Sequence, residues 1–221
     1  MTAALLTRHR GNIKELSDLA QRDIALLLAP VSGDAVAARL LLEVALPDLV
    51  SVYGSAAATL GAEMYDELRY EAKVTGRFVA RPAVLPGLAR TASLAKWAVD
   101  PLFAATPDSA AATERVGGGL QRIIANADRE TVMGSSIADP KAQGWKRLAR
   151  TNGCGFCRML ASRGAVYTKT SVDFGAHDHC GCVAAPQFGG DVVMADRKPV
   201  PADIPDAQVA ATEAWMADHG Y

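Results

Sequence analysis

The sequence is poor in aromatic residues, in cysteine and in net charge. Aromatics make up 6% of its 221 residues, and Lys+Arg 23 stand against Asp+Glu 24. So even a balance excludes a general polyanion-binding surface, and a hydrophobic content of 50% excludes wholesale disorder. Scarce aromatics beside abundant alanine disfavour a β-sandwich and favour helices packed through small side chains. No apolar run reaches the roughly 18 residues of a membrane span. The opening MTAALLTRHRGNIKEL carries charge where a signal peptide has its apolar core. The chain is therefore expected to be made in the cytoplasm, with no membrane partner. The length suits one main core, with at most a small satellite.

What is present is helical periodicity. Ile13, Leu16, Ala20, Ile24 and Leu27 predict a helix over 13–28. Asp34 is a predicted N-cap for a series at Val36, Leu40 and Val44. Pro47 kinks or restarts that helix, and Leu49, Tyr53, Ala56, Leu60, Met64 and Leu68 carry the spacing toward Lys73. So long a helix offers apolar length that a partner could share. Pro82, Pro86 and Gly87 make 76–90 a connection, and helix resumes with Leu94, Trp97 and Ala98. Asp108 or Ser109 caps a further helix through Val116, Leu120, Ile123, Ala127 and Thr131. Within it Gly117, Gly118 and Gly119, each worth roughly 1 kcal/mol less than alanine, predict an irregularity. No strand precedes them and no Gly-Lys-Ser/Thr follows, so they are not read as a nucleotide loop.

The charge is unevenly divided. Residues 1–139 hold 14 Lys/Arg and 16 Asp/Glu, net −2; residues 140–186 hold 7 and 2, net +5; residues 187–221 hold 2 and 6, net −4. This suggests a helical region over 2–136, a basic module over 140–186 and an acidic strap over 187–221. The strap contains Pro199, Pro201 and Pro205, with a short helix expected near 206–218. Val209, Trp215 and Met216 on that helix are expected to anchor in an apolar groove of this chain or a neighbour.

All four cysteines lie between Cys154 and Cys182, too local to staple the chain as a secreted disulfide scaffold would. They form Cys154-Gly-Phe-Cys157, nineteen intervening residues, then His177-Asp-His179-Cys180-Gly-Cys182. A Cys-x-x-Cys turn aims two thiolates at one point, and His177-x-x-Cys180 repeats the spacing. Cys180 and Cys182 alternate as on one face of a strand, so they could form the second pair instead. The spacing predicts one structural zinc, held by Cys154, Cys157 and two or three of His177, Cys180 and Cys182, with His179 a competing sixth candidate. A thioredoxin-like redox pair needs a βαβ frame that the sequence does not show. Two local disulfides are the other reading. His9 and His219 are read as solvated, and Trp145, beside Lys146, Arg147 and Arg150, as a core anchor on a basic helix, with a nucleic-acid patch as the alternative.

The Trp145-Lys-Arg147 helix, Cys154-x-x-Cys157, Met159-Leu-Ala-Ser-Arg-Gly164, Tyr167 and Phe174-x-x-His177-x-His179-Cys180-x-Cys182 together resemble phage MuF-type minor head proteins. The likeness covers about Trp145 to Pro186. Family members often read His-Pro-x-Cys-x-Cys where this chain reads His177-Asp-His179-Cys180-Gly-Cys182, which aligns His177 with the family position. The resemblance implies a non-catalytic protein of head morphogenesis in the virion interior. Its helical region would dock on the portal protein, with the major capsid protein and packaged double-stranded DNA as further contacts. The expected fold is mainly α, with a small α+β zinc-ribbon-like module and an extended C-terminal strap. The competing readings are a ββα-metal (HNH-like) nuclease, in which His179 would activate water, and a plain zinc-ribbon DNA-binding module.

Overall fold

The computed structural model describes residues 2–149, 153–163, 167 and 174–189. The acidic strap beyond Gly189, with its expected helix and Trp215 anchor, lies outside them, as does His219. Among the described residues the fold is mainly helical, with one two-stranded sheet. No described helix is long and apolar enough to cross a membrane.

Helix α1 spans Thr2–Leu28 and so starts well before the predicted Ile13. The reason lies in its buried stripe, Leu5, His9, Ile13, Ser17, Ala20, Ile24 and Leu28, in which polar His9 and Ser17 take core positions. His9 is 4% exposed, so its expected place in solvent is corrected: a carboxylate from another helix satisfies it. Helix α2, Ala35–Leu49, begins as predicted at Asp34, whose carboxylate accepts from the amides of Val36 and Ala37, both at 3.0 Å. Pro47 lies inside it, and a π-helical stretch at Val50–Gly54 follows before α3, Ser55–Glu71. The helical run ends at Lys73, with φ 54°. Tyr53, Leu60, Met64 and Leu68 all pack into the chain's own core, so the apolar length expected to serve a partner is consumed internally. Among the exposed apolar residues, Val36, Leu40 and Val44 share the outer face of α2.

Helix α4, Leu88–Val99, follows the predicted connection, and Asp108 caps α5, Ser109–Ala138, by accepting from Ala111 at 2.8 Å. α5 packs against α1, α3 and α4 and carries the sheet. It runs unbroken through Gly117–Gly119, against the expected irregularity. A Cβ on Gly118 would stand 2.7 Å from His179 Nε2, and one on Gly119 would stand 2.3 Å from Leu94 Cδ1. These glycines therefore serve close packing, not a break in the helix.

The Trp145 segment is a strand, not a helix. β1, Gly144–Leu148, pairs antiparallel with β2, Val183–Gln187, in the register Trp145 opposite Pro186. The Trp145 amide donates away from β2, to the Tyr167 carbonyl at 2.9 Å. Pro186 sits opposite, at a position where its missing N–H faces away from β1. Trp145 is fully buried and stacks on Tyr167, with ring centroids 4.1 Å apart. A short helix α6, Gly155–Ser162, stands between the strands in sequence.

Two buried clusters result. One joins Ile24, Leu42, Leu46, Ala98, Val116, Leu120 and Ile124 of the helices. The other joins Leu5 of α1, Tyr65 and Leu68 of α3 and Val132 and Met133 of α5 to Trp145, Cys157, Phe174 and Cys180. The cysteine segment thus shares a core with the helical region. α5 runs two residues past the expected boundary at 136, and Gln187, assigned to the strap, closes β2.

Candidate metal centre

Cys154 is the N-cap of α6, and its Sγ accepts the Cys157 amide at 3.4 Å, so the first turn of that helix presents both sulfurs on one side. The opposing turn is closed by the Cys180 amide donating to the His177 carbonyl at 3.2 Å. His177 Nε2 lies 3.1 Å from Cys154 Sγ and 3.6 Å from Cys157 Sγ, and Cys157 Sγ lies 3.4 Å from Cys180 Sγ. Two ligand groups form, each with its atoms within 4.8 Å of one another: Cys154, Cys157 and His177, and Cys157, Cys180 and Cys182. Cys157 belongs to both. Five of the six candidates are brought together in this way, and the cluster could bind a metal ion.

His179 stands outside the cluster. Its backbone has φ 60°, and its Nε2 lies 2.9 Å from Glu114 of α5. Asp178 turns to Arg122, at 3.1 Å. The choice between the two histidines is thus made by α5, which offers a carboxylate to one ring and leaves the other facing the sulfurs.

The donor set fits a metal. His177 Nδ1 lies 2.6 Å from the Asp178 carbonyl, an acceptor, so the ring proton belongs on Nδ1 and the Nε2 lone pair points at the sulfurs. Arg129 of α5, 1% exposed, donates from Nε to the Cys182 carbonyl at 3.0 Å and from Nη2 to the Cys180 carbonyl at 2.6 Å. Gln121 adds a second bond to Cys180, at 3.2 Å. Without metal, the hydrogen bonds from Cys157 and Cys182, aided by the Arg129 charge, hold the Cys180 thiol far below the usual range. Sharing with Cys180, then Cys182, and burial push Cys157 up. Cys182 is drawn down by Cys157, but Cys180 and burial outweigh this and push it up to about 11. Burial in turn lowers the pKa of Arg129. Sulfurs this close compete for protons, a conflict that a divalent cation removes.

Sequence reasoning missed Arg129 and Arg147. Both lie over the Phe174 ring, at 4.8 and 3.7 Å from its centroid, and so place two cations beneath the thiols. Nothing local marks Arg129 in an amphipathic helix, and Arg147 is expected on a basic helix, not on the inner face of a strand. All four cysteines are free thiols, so the alternative reading of two local disulfides is not realised in this structure.

The family model described as VG15 protein matches residues 1–207. No curated protein and no solved structure matches.

Proposed function

Because the chain belongs to the VG15 protein family, we propose that it is a non-catalytic phage minor head protein of MuF type, docked on the portal inside the capsid near packaged DNA. The carrying observation is that one family match spans both the helical frame and the cysteine module, so the two act as a unit. The likeness of the Trp145–Pro186 segment to MuF-type modules supplies the role, with the helical region docking and the module 140–186 supporting it. The acidic strap beyond Gly189 completes this division.

The metal is zinc in this reading. Up to four thiolates with one imidazole form a soft donor set, closed and without the adjacent base of a catalytic site. Cys154, Cys157 and His177 with Cys180 or Cys182 would hold it. The nuclease reading needs His179 to activate water, but its Nε2 is engaged by Glu114 at 2.9 Å. Docking falls to the outer face of α2, where Val36, Leu40 and Val44 are 60%, 60% and 72% exposed at helical spacing.

Co-expression with the cognate portal tests the reading: the two proteins are expected to co-purify. Failure to do so, together with Mg²⁺- or Mn²⁺-dependent DNA nicking abolished by His179→Ala, would replace it with the nuclease.

A further inference from the structure

An open groove of about 580 Å³ separates the start of α1 from the end of β1 and the flank of α6. Arg10, Arg147 and Arg158 line it, and among the described residues no carboxylate does. The rest of the wall is largely apolar, including Leu6, Leu148 and Ala161. Cations on an apolar wall attract an anion more strongly than the same cations in open solvent.

Two of these arginines have donors with nothing to receive them. Arg147 is 1% exposed; its guanidinium lies over the Phe174 ring, its Nη2 donates to the Gly175 carbonyl at 2.7 Å, and among the described residues Nε and Nη1 have no acceptor. Arg10 Nε is likewise buried and unmatched. Leaving a guanidinium N–H buried without an acceptor is costly, and here three such donors belong to residues lining one groove. We propose that this groove is an oxyanion site, in which Arg10 and Arg147 hold a phosphate group with Arg158 at the rim. Several oxygens on one small tetrahedral group are what donors spread over two side chains can share. Arg10 also lines a neighbouring cavity of about 320 Å³, where Lys14 is already paired with Asp18, so the unmatched cationic wall is confined to the groove. The phosphate is either a free ion or one unit of a nucleic-acid backbone. The site is read from the groove alone and does not depend on portal binding.

The full chain, as purified with its metal, is titrated with inorganic phosphate by calorimetry. A labelled DNA duplex is followed by fluorescence anisotropy at low and physiological salt. The wild type binds at least one probe. Arg10→Gln weakens that binding about tenfold, and Arg158→Gln weakens it too, while Arg90→Gln, on α4, does not. For the duplex, Arg10→Gln also lowers the salt slope by about one. Phosphate binding alone assigns a free anion, and duplex binding alone assigns the backbone; either upholds the site. Arg147→Met, checked for folding by circular dichroism, should fold and bind neither probe. The site is overturned if neither probe binds at low salt, if Arg10→Gln binds like the wild type, or if folded Arg147→Met does. None of these outcomes bears on co-purification with the portal, so the two proposals fail separately.

Discussion

His9 Nε2 lies 2.8 Å from Asp128 Oδ1, joining the first turns of α1 to the middle of α5 across 119 residues of sequence, with both side chains buried. Gly61 of α3 makes room for the pair, since a Cβ there would stand 2.8 Å from the same oxygen. Among the described residues Oδ2 of Asp128 has no partner, so His9 is the neighbour on which the carboxylate depends.

His9→Ala is therefore expected to lower stability by about 3–5 kcal/mol, the cost of stranding a buried charge. The double replacement His9→Met with Asp128→Leu should recover much of that loss, because it removes the charge along with its partner. Urea unfolding of the two variants checks the order.

Metal content should be about one zinc equivalent per chain when the protein is made under reducing conditions. Cys157→Ser is expected to abolish it, because Cys157 belongs to both ligand groups. Cys182→Ser should bind more weakly yet retain metal, since it leaves the Cys154, Cys157 and His177 group intact with Cys180 beside Cys157. Elemental analysis decides; no metal in the wild type, with all thiols free, would sink the assignment.

The glycine triplet should respond unequally to alanine. At Gly117 the new Cβ meets Gln21 only at 3.6 Å, so Gly117→Ala should gain up to about 1 kcal/mol of helix propensity. At Gly119 it meets buried Leu94 at 2.3 Å, and Gly119→Ala should lose about 1–3 kcal/mol through overpacking. Thermal melts of the two variants should move in opposite directions.

Asp139 ties the end of α5 to α3: it accepts from Arg69 Nε at 2.8 Å and from the Tyr65 hydroxyl at 3.3 Å. Burial, then the Asp139 charge, raises the Tyr65 pKa, so the phenol stays protonated and able to donate. Asp139→Ala should cost about 3–5 kcal/mol by leaving Arg69 buried without its anion. Equal stability of variant and wild type in denaturant would contradict this.

The helices were legible because their signals are local. Asp34 and Asp108 cap within three residues, and the apolar spacing of α3 and α5 can be counted directly, whereas the series counted on α2, Val36, Leu40 and Val44, lies on its outer face. β1 was not, because its inward positions are Trp145 and Arg147, and a buried arginine erases the apolar alternation that marks a strand. His9 failed for the same kind of reason: a lone histidine reads as solvated until a carboxylate far along the chain meets it. The spacing of the cysteines pointed to one local cluster, but only α5 separates His177 from His179, through Glu114, and supplies the Arg129 cation beneath the thiols.

Mass spectrometry of purified heads tests the proposal that this chain works as a portal-bound component of the phage head. The protein is predicted to be present in heads at a fixed ratio to portal, and to disappear from heads assembled without portal. Its absence from purified heads, with the chain found free in the lysate, would contradict the account.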